Sequence, residues 1–179
     1  MALDQSHKDA MEELDSAFRG EQSSPFAQAA VTEDWDDYAP WYARLLSSLV
    51  LLTAGERVVF AQGTKTYDAH QARALVFTDT LMVLADIGDV NADQVPHPIA
   101  RSRQSIRSLQ VATKTRIDIQ GSSALGWPGT IRLSVSYAGM DGPIEFDTLG
   151  TDRSGQPGPG LQLLAGLKDD LRAATTQHA

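Results

Sequence analysis

The chemistry open to this chain is limited by which side chains it lacks and by how its histidines and acids are spaced. There is no cysteine, so disulfides, thiolate zinc sites and cysteine nucleophiles are excluded, and a reducing, cytoplasmic setting is expected. His7, His70, His97 and His178 are scattered. Asp68 and His70 fall in one loop, with no third ligand or nucleophile beside them. Glu33, Asp34, Asp36 and Asp37 cluster, but without the glycine and terminal glutamate of a calcium loop. Placed before a helix, such acids complement the positive end of its dipole. No Walker loop, dinucleotide fingerprint, nucleophile elbow or carboxylate pair of defined spacing occurs. The expectation is a chain that is not an enzyme and needs no cofactor or metal.

Binding residues are easier to find. The run His97–Arg116 holds Arg101, Arg103, Arg107, Lys114 and Arg116 with no acid between them. Lys114 and Arg116 would share the outer face of a strand, giving a patch for an acidic partner. The plainer alternative is a solvated face balanced by cross-strand acids such as Asp118 or Glu145. A third is that this face docks the acidic N-terminal part of the same chain. Trp127 lies in GSSALGWPGT, between glycines and next to Pro128. It is either an anchor for a partner or a plug folded over the ends of the strands.

Charge is distributed unevenly. Residues 1–40 hold ten acids against two bases, Lys8 and Arg19, whereas residues 41–179 hold thirteen of each, so the net −8 belongs to the first part. With an isoelectric point near 4.8 and no aromatic residue interleaved in the basic run, nucleic acid is not expected as a partner. The hydrophobic share, 42%, is that of an ordinary globular chain with a real core. The first residues carry acids and no apolar stretch of the signal type. The greasiest stretch, Leu45–Ala54, contains Ser47 and Ser48 and falls short of the roughly 20 apolar residues a span needs.

Several elements must position these residues. Leu3, Met11, Leu14 and Phe18 are spaced for a helix over Gln5–Arg19 that ends at Gly20. Its stripe is narrow, so it must lie on a surface, either its own domain's or a partner's. Residues 21–37 lack periodicity and are read as an acidic linker. A second helix over Tyr38–Leu52 carries two apolar rows, one through Trp41, Leu45, Leu49 and Leu52 and one through Tyr42, Leu46 and Val50. The period then changes to two. Strands are expected at Arg57–Gln62, Arg73–Thr78, Leu81–Ile87 and Ile99–Arg103, with Asp79 and Thr80 closing the hairpin between the second and third. Arg107–Gln120 alternates throughout, as one long bent strand or two shorter ones. Thr130–Ala138 and Pro143–Leu149 complete seven strands. Gly150–Gly160, rich in glycine and proline, is read as a linker to a final helix over Leu161–Thr175, with Leu164, Leu167 and Leu171 on one face.

Seven antiparallel strands followed by one amphipathic helix resemble the pleckstrin-homology-like barrel, and the local wording is similar to its bacterial branch. LLTAGERVVF resembles the leucine pair and glycine–glutamate step into the first strand, LVFTDTLMVLAD the threonine-centred hairpin, and ARSRQSIRSLQV the passage into the middle strand. The resemblance covers residues 50–175. It implies a mostly β fold: a seven-stranded antiparallel barrel capped by a C-terminal helix (53–179), preceded by a helical extension with an acidic linker (1–52).

It also implies a binding or scaffolding module, with a protein partner or self-association expected and an anionic membrane surface as the alternative. Phosphoinositide-binding members place a lysine in the first hairpin and two basic residues, one apart, on the second strand. Lys65 and Arg73 match the first two positions, but Leu75 occupies the third and Asp68 intervenes. Convergent cations, on which headgroup recognition rests, are thereby depleted.

Overall fold

The computed structural model describes residues 5–19, 24–32, 37–53, 55–65, 70–92, 94–113, 128–151 and 156–177. Two compact units divide the chain, Met1–Ala100 and Arg101–Ala179.

The first unit contains helices α1 (Gln5–Arg19), α2 (Pro25–Ala29) and α3 (Pro40–Thr53) and strands β1 (Val58–Lys65), β2 (Ala72–Thr78) and β3 (Leu81–Ile87). β4 (Ile99–Ser102) runs across its boundary, and the sheet order is β1-β2-β3-β4. Both apolar rows of α3 are used: Trp41, Tyr42, Leu45, Leu46, Leu49 and Val50 are all buried. They share one core with Leu14 and Phe18 of α1, Phe26 of α2, Ala72, Ala74 and Val76 of β2, and Val83, Ala85 and Ile87 of β3. Small residues on the strands let the helices approach the sheet closely. The first helix therefore rests on its own chain. Asp15, nearly buried, accepts from Tyr42 Oη at 2.9 Å and is gripped by Arg19 one turn later, so the row that docks carries its own satisfied charge.

Part of the segment expected to be a linker is built. Ser24 caps α2 by accepting from the Ala27 amide at 3.1 Å, and Pro25 follows at the first helical position, where no amide hydrogen is needed. Val31 bridges to Tyr38, the Thr32 amide donates to the Asp37 carbonyl at 2.9 Å, and the Trp41 indole donates to the Ala29 carbonyl at 3.1 Å. The physical reason is Phe26. Its fully buried ring sits on β1 where Gly63 has no side chain, and a Cβ there would fall inside the ring.

The second unit begins with a 3-10 turn, Arg103–Ser105, followed by β5 (Ile106–Thr113), β6 (Thr130–Tyr137), β7 (Ile144–Leu149) and α4 (Pro159–Gln177). These strands form an antiparallel sheet in the order β5-β6-β7. Ile131, Leu133, Val135 and Tyr137 point inward as their alternation requires, and α4 packs on β5 and β7 through buried Leu163, Leu164 and Leu167. The glycines at the start of α4 are not spacers. A Cβ on Gly158 would come within 2.7 Å of the Leu149 carbonyl oxygen, and one on Gly160 within 2.6 Å, so the helix begins hard against the end of β7. The Gly158 amide donates to the Gly150 carbonyl at 2.8 Å, closing the loop at its base.

The fold is thus mixed α/β: N-terminal helices, seven strands in sheets of four and three, and a C-terminal helix on the second sheet. Among the described residues no strand pairing closes the seven into one barrel. β4 is only four residues long, and the 3-10 turn that follows interrupts the ladder before β5 begins. β5 is described to Thr113; the rest of the alternating segment, with Lys114, Arg116 and Asp118, lies outside the described residues, as does Trp127.

Candidate functional site

Lys65 and Arg73 do come together. The register sets Lys65 opposite Ala72 and Thr64 opposite Arg73, and with Gln71 and Asp86 they line a shallow depression of about 280 Å³ in the first unit. The hairpin register also sets Arg73 opposite Asp86, and the two form a bidentate pair at 2.6 and 3.2 Å. Leu75, the third position in the resemblance, is buried. An anion arriving here would meet an arginine already engaged by a carboxylate.

The other arginines of the basic run separate in depth. Arg101 is half-buried and donates to the Gly139 carbonyl at 3.4 Å. Arg103 is only 5% exposed: its guanidinium makes a two-point ion pair with Asp170 of α4, 2.8 Å from Nε and 2.7 Å from Nη2, so it does not belong to a surface patch. Gly166 makes the room, since a Cβ there would stand 2.6 Å from Arg103 Nη2. Burying the Arg103 guanidinium is tolerable only because the half-buried Asp170 pairs with it. Tyr137 lies in the field of this pair, and its hydroxyl, buried without a hydrogen bond among the described residues, has its pKa pushed up by desolvation.

Pairing with aspartate recurs along the chain: Arg19 with Asp15, Arg57 with Asp79, Arg132 with Asp147 and Arg172 with Asp169. Arg107 is different. It is exposed, and no carboxylate among the described residues pairs with it. It also occupies a break in the ladder, because the pairing skips from Ile106–Tyr137 to Ser108–Ser136. Such a bulge turns a side chain out of the alternation.

Arg107 stands at the rim of a cleft of about 230 Å³ within the second unit. Gln104 and Ser105 share that rim, Ile106 and Ala138 form the apolar floor, and Leu171, Ala174 and Thr175 of α4 supply the wall. Among the described residues no acid lines it. The Arg103–Asp170 pair fixes α4 against the 3-10 turn one residue behind both sides, so the cleft exists before anything enters it.

The alternation of the basic run carried one readable signal for this site. Ile106 and Leu109 are both apolar yet of opposite parity, which a regular strand cannot bury together; an extra residue at Arg107 resolves the conflict. The contribution of α4 was not readable, because it depends on tertiary packing.

Among the described residues, no group of histidines and acids could hold a metal ion, and no helix is long and apolar enough to cross a membrane. Comparison of the chain with protein-family models, curated proteins and solved structures finds no match.

Proposed function

We propose that this chain is a non-catalytic protein-interaction module of pleckstrin-homology-like build. The division of seven strands into four and three, with one helix after the last strand packing on the second sheet, supports that build. Fold alone does not select a partner. The observation that carries the reading is the preformed cleft beside α4, amphipathic, lined by no acid among the described residues and braced by the pair of buried Arg103 with half-buried Asp170. A site ordered in advance avoids the entropy of assembling it on binding.

The alternative is an anionic membrane surface met through the basic outer face of Lys114 and Arg116, which lie outside the described residues. Among the described residues, Arg73 is held by Asp86, Arg103 is buried, and Lys65 shares a shallow depression with the engaged Arg73.

Two photo-crosslinking variants of the full chain separate the readings, one labelled at Gln104 and one at Gln71. In extracts of cells that express the chain, the Gln104 label is expected to capture protein, and the chain is expected to stay with the soluble fraction when anionic vesicles are floated. Salt-sensitive flotation, with no protein captured at Gln104, would replace the module by a lipid binder.

A further inference from the structure

We infer that the occupant of this cleft is an extended acidic segment of a partner protein, which sets a carboxylate on Arg107 and an adjacent apolar side chain against Leu171 and Ala174. The inference rests on the interaction-module reading above and specifies its partner.

Charge complementarity is the first argument. The arginines at positions 19, 57, 73, 103, 132 and 172 each carry an aspartate, whereas Arg107 has none among the described residues. An exposed guanidinium presents a planar fork of donors suited to two-point binding of a carboxylate. Among the described residues no acid lines the cleft, so none of them competes for it.

Backbone geometry is the second. The bulge between Ile106 and Ser108 is what releases Arg107 from the alternation, and bulges recur where a strand must re-aim one side chain. A regular strand would place residue 107 and the apolar Leu109 on one face.

Size and lining are the third. At about 230 Å³ the cleft is below the roughly 300 Å³ at which small-molecule pockets begin, so it suits a side chain or two from a peptide. The buried Ile106 and the partly covered Leu171 give an apolar residue a seat beside the cation. The polar rim, Gln104 and Ser105, can hydrogen-bond a passing backbone.

The test uses the full chain, labelled with 15N, and two short blocked probes. The first is a pentapeptide with glutamate between two leucines, Gly-Leu-Glu-Leu-Gly; the second has glutamine in place of the glutamate. The glutamate probe is expected to move the amide signals of residues 104–107 and 171–175, to weaken as salt is raised, and to bind Arg107→Gln about tenfold less tightly. Arg107→Lys should fall between, since it keeps the charge and loses the fork. Equal binding of the two probes, shifts confined to other residues, or no shift at all would overturn the inference. So would self-association of the chain that Arg107→Gln abolishes, since the chain's own acidic segment would then be the occupant. A protein captured equally by the wild type and by Arg107→Gln would leave the module reading standing and remove this site from it.

Discussion

Glu56 and Thr78 are 22 positions apart, yet one carboxylate organises the tip of the β2–β3 hairpin. Glu56 accepts from the Thr78 hydroxyl, from the Thr80 amide at 3.2 Å and from the Thr80 hydroxyl at 2.7 Å, while Arg57 pairs with Asp79 at the same turn. The glycine–glutamate step and the Thr-Asp-Thr hairpin, noticed as separate motifs in the sequence, are two halves of one clamp. Each half was legible; their contact was not, because sequence shows spacing and not proximity. These hydrogen bonds hold the Glu56 carboxyl below its ordinary value of 4.5. A depressed folded value means that the contribution to stability is complete above the unfolded value and disappears as pH falls through the lower folded one. Glu56→Gln should cost about 1 kcal/mol at neutral pH and flatten the acid limb of a stability–pH curve measured by urea unfolding. A wild-type-like acid limb in the variant would remove Glu56 from that role. Tyr137 makes the opposite case. Its buried hydroxyl has no partner among the described residues, so Tyr137→Phe should leave the melting temperature unchanged or raise it, with a gain of up to ~1 kcal/mol.

At the scale of elements, α1 is legible to its boundaries and α3 to within two residues at either end, because both carry long periodic stripes. The strands follow their alternation to within a few residues wherever they are described. α2 escaped because five residues make no stripe, and what holds it is one ring against one distant glycine. Gly158 and Gly160 misled for a similar reason: glycine marks both loose linkers and close backbone approaches, and only the partner strand distinguishes them. Phe26→Ala should cost about 3–5 kcal/mol, and Gly63→Ala should destabilise by overlap with the ring. The double variant should lose less than the two single losses added together, since removing the ring removes the overlap. Additive losses in denaturant titrations would mean that the two residues do not meet in solution.

For the whole molecule, the N-terminal helices cannot be set apart as an appendage, because Leu14, Phe18 and Phe26 belong to the same buried cluster as β2 and β3. Deleting residues 1–39 should expose that cluster and produce a chain that aggregates or melts without a sharp transition by near-ultraviolet dichroism. A soluble truncated form with a cooperative transition would show that the sheet stands without its helices. On the proposed reading, recognition falls to the second unit, where the bulge at Arg107 and the wall of α4 meet. Hydrogen–deuterium exchange of the full chain, alone and saturated either with its captured partner or with anionic vesicles, tests this most directly. The account predicts slowed exchange over residues 104–107 and 171–175 with the protein partner and no change with vesicles. Protection at residues 64–65 and 71–73 by vesicles, with residues 104–107 unaffected by the partner, would contradict it.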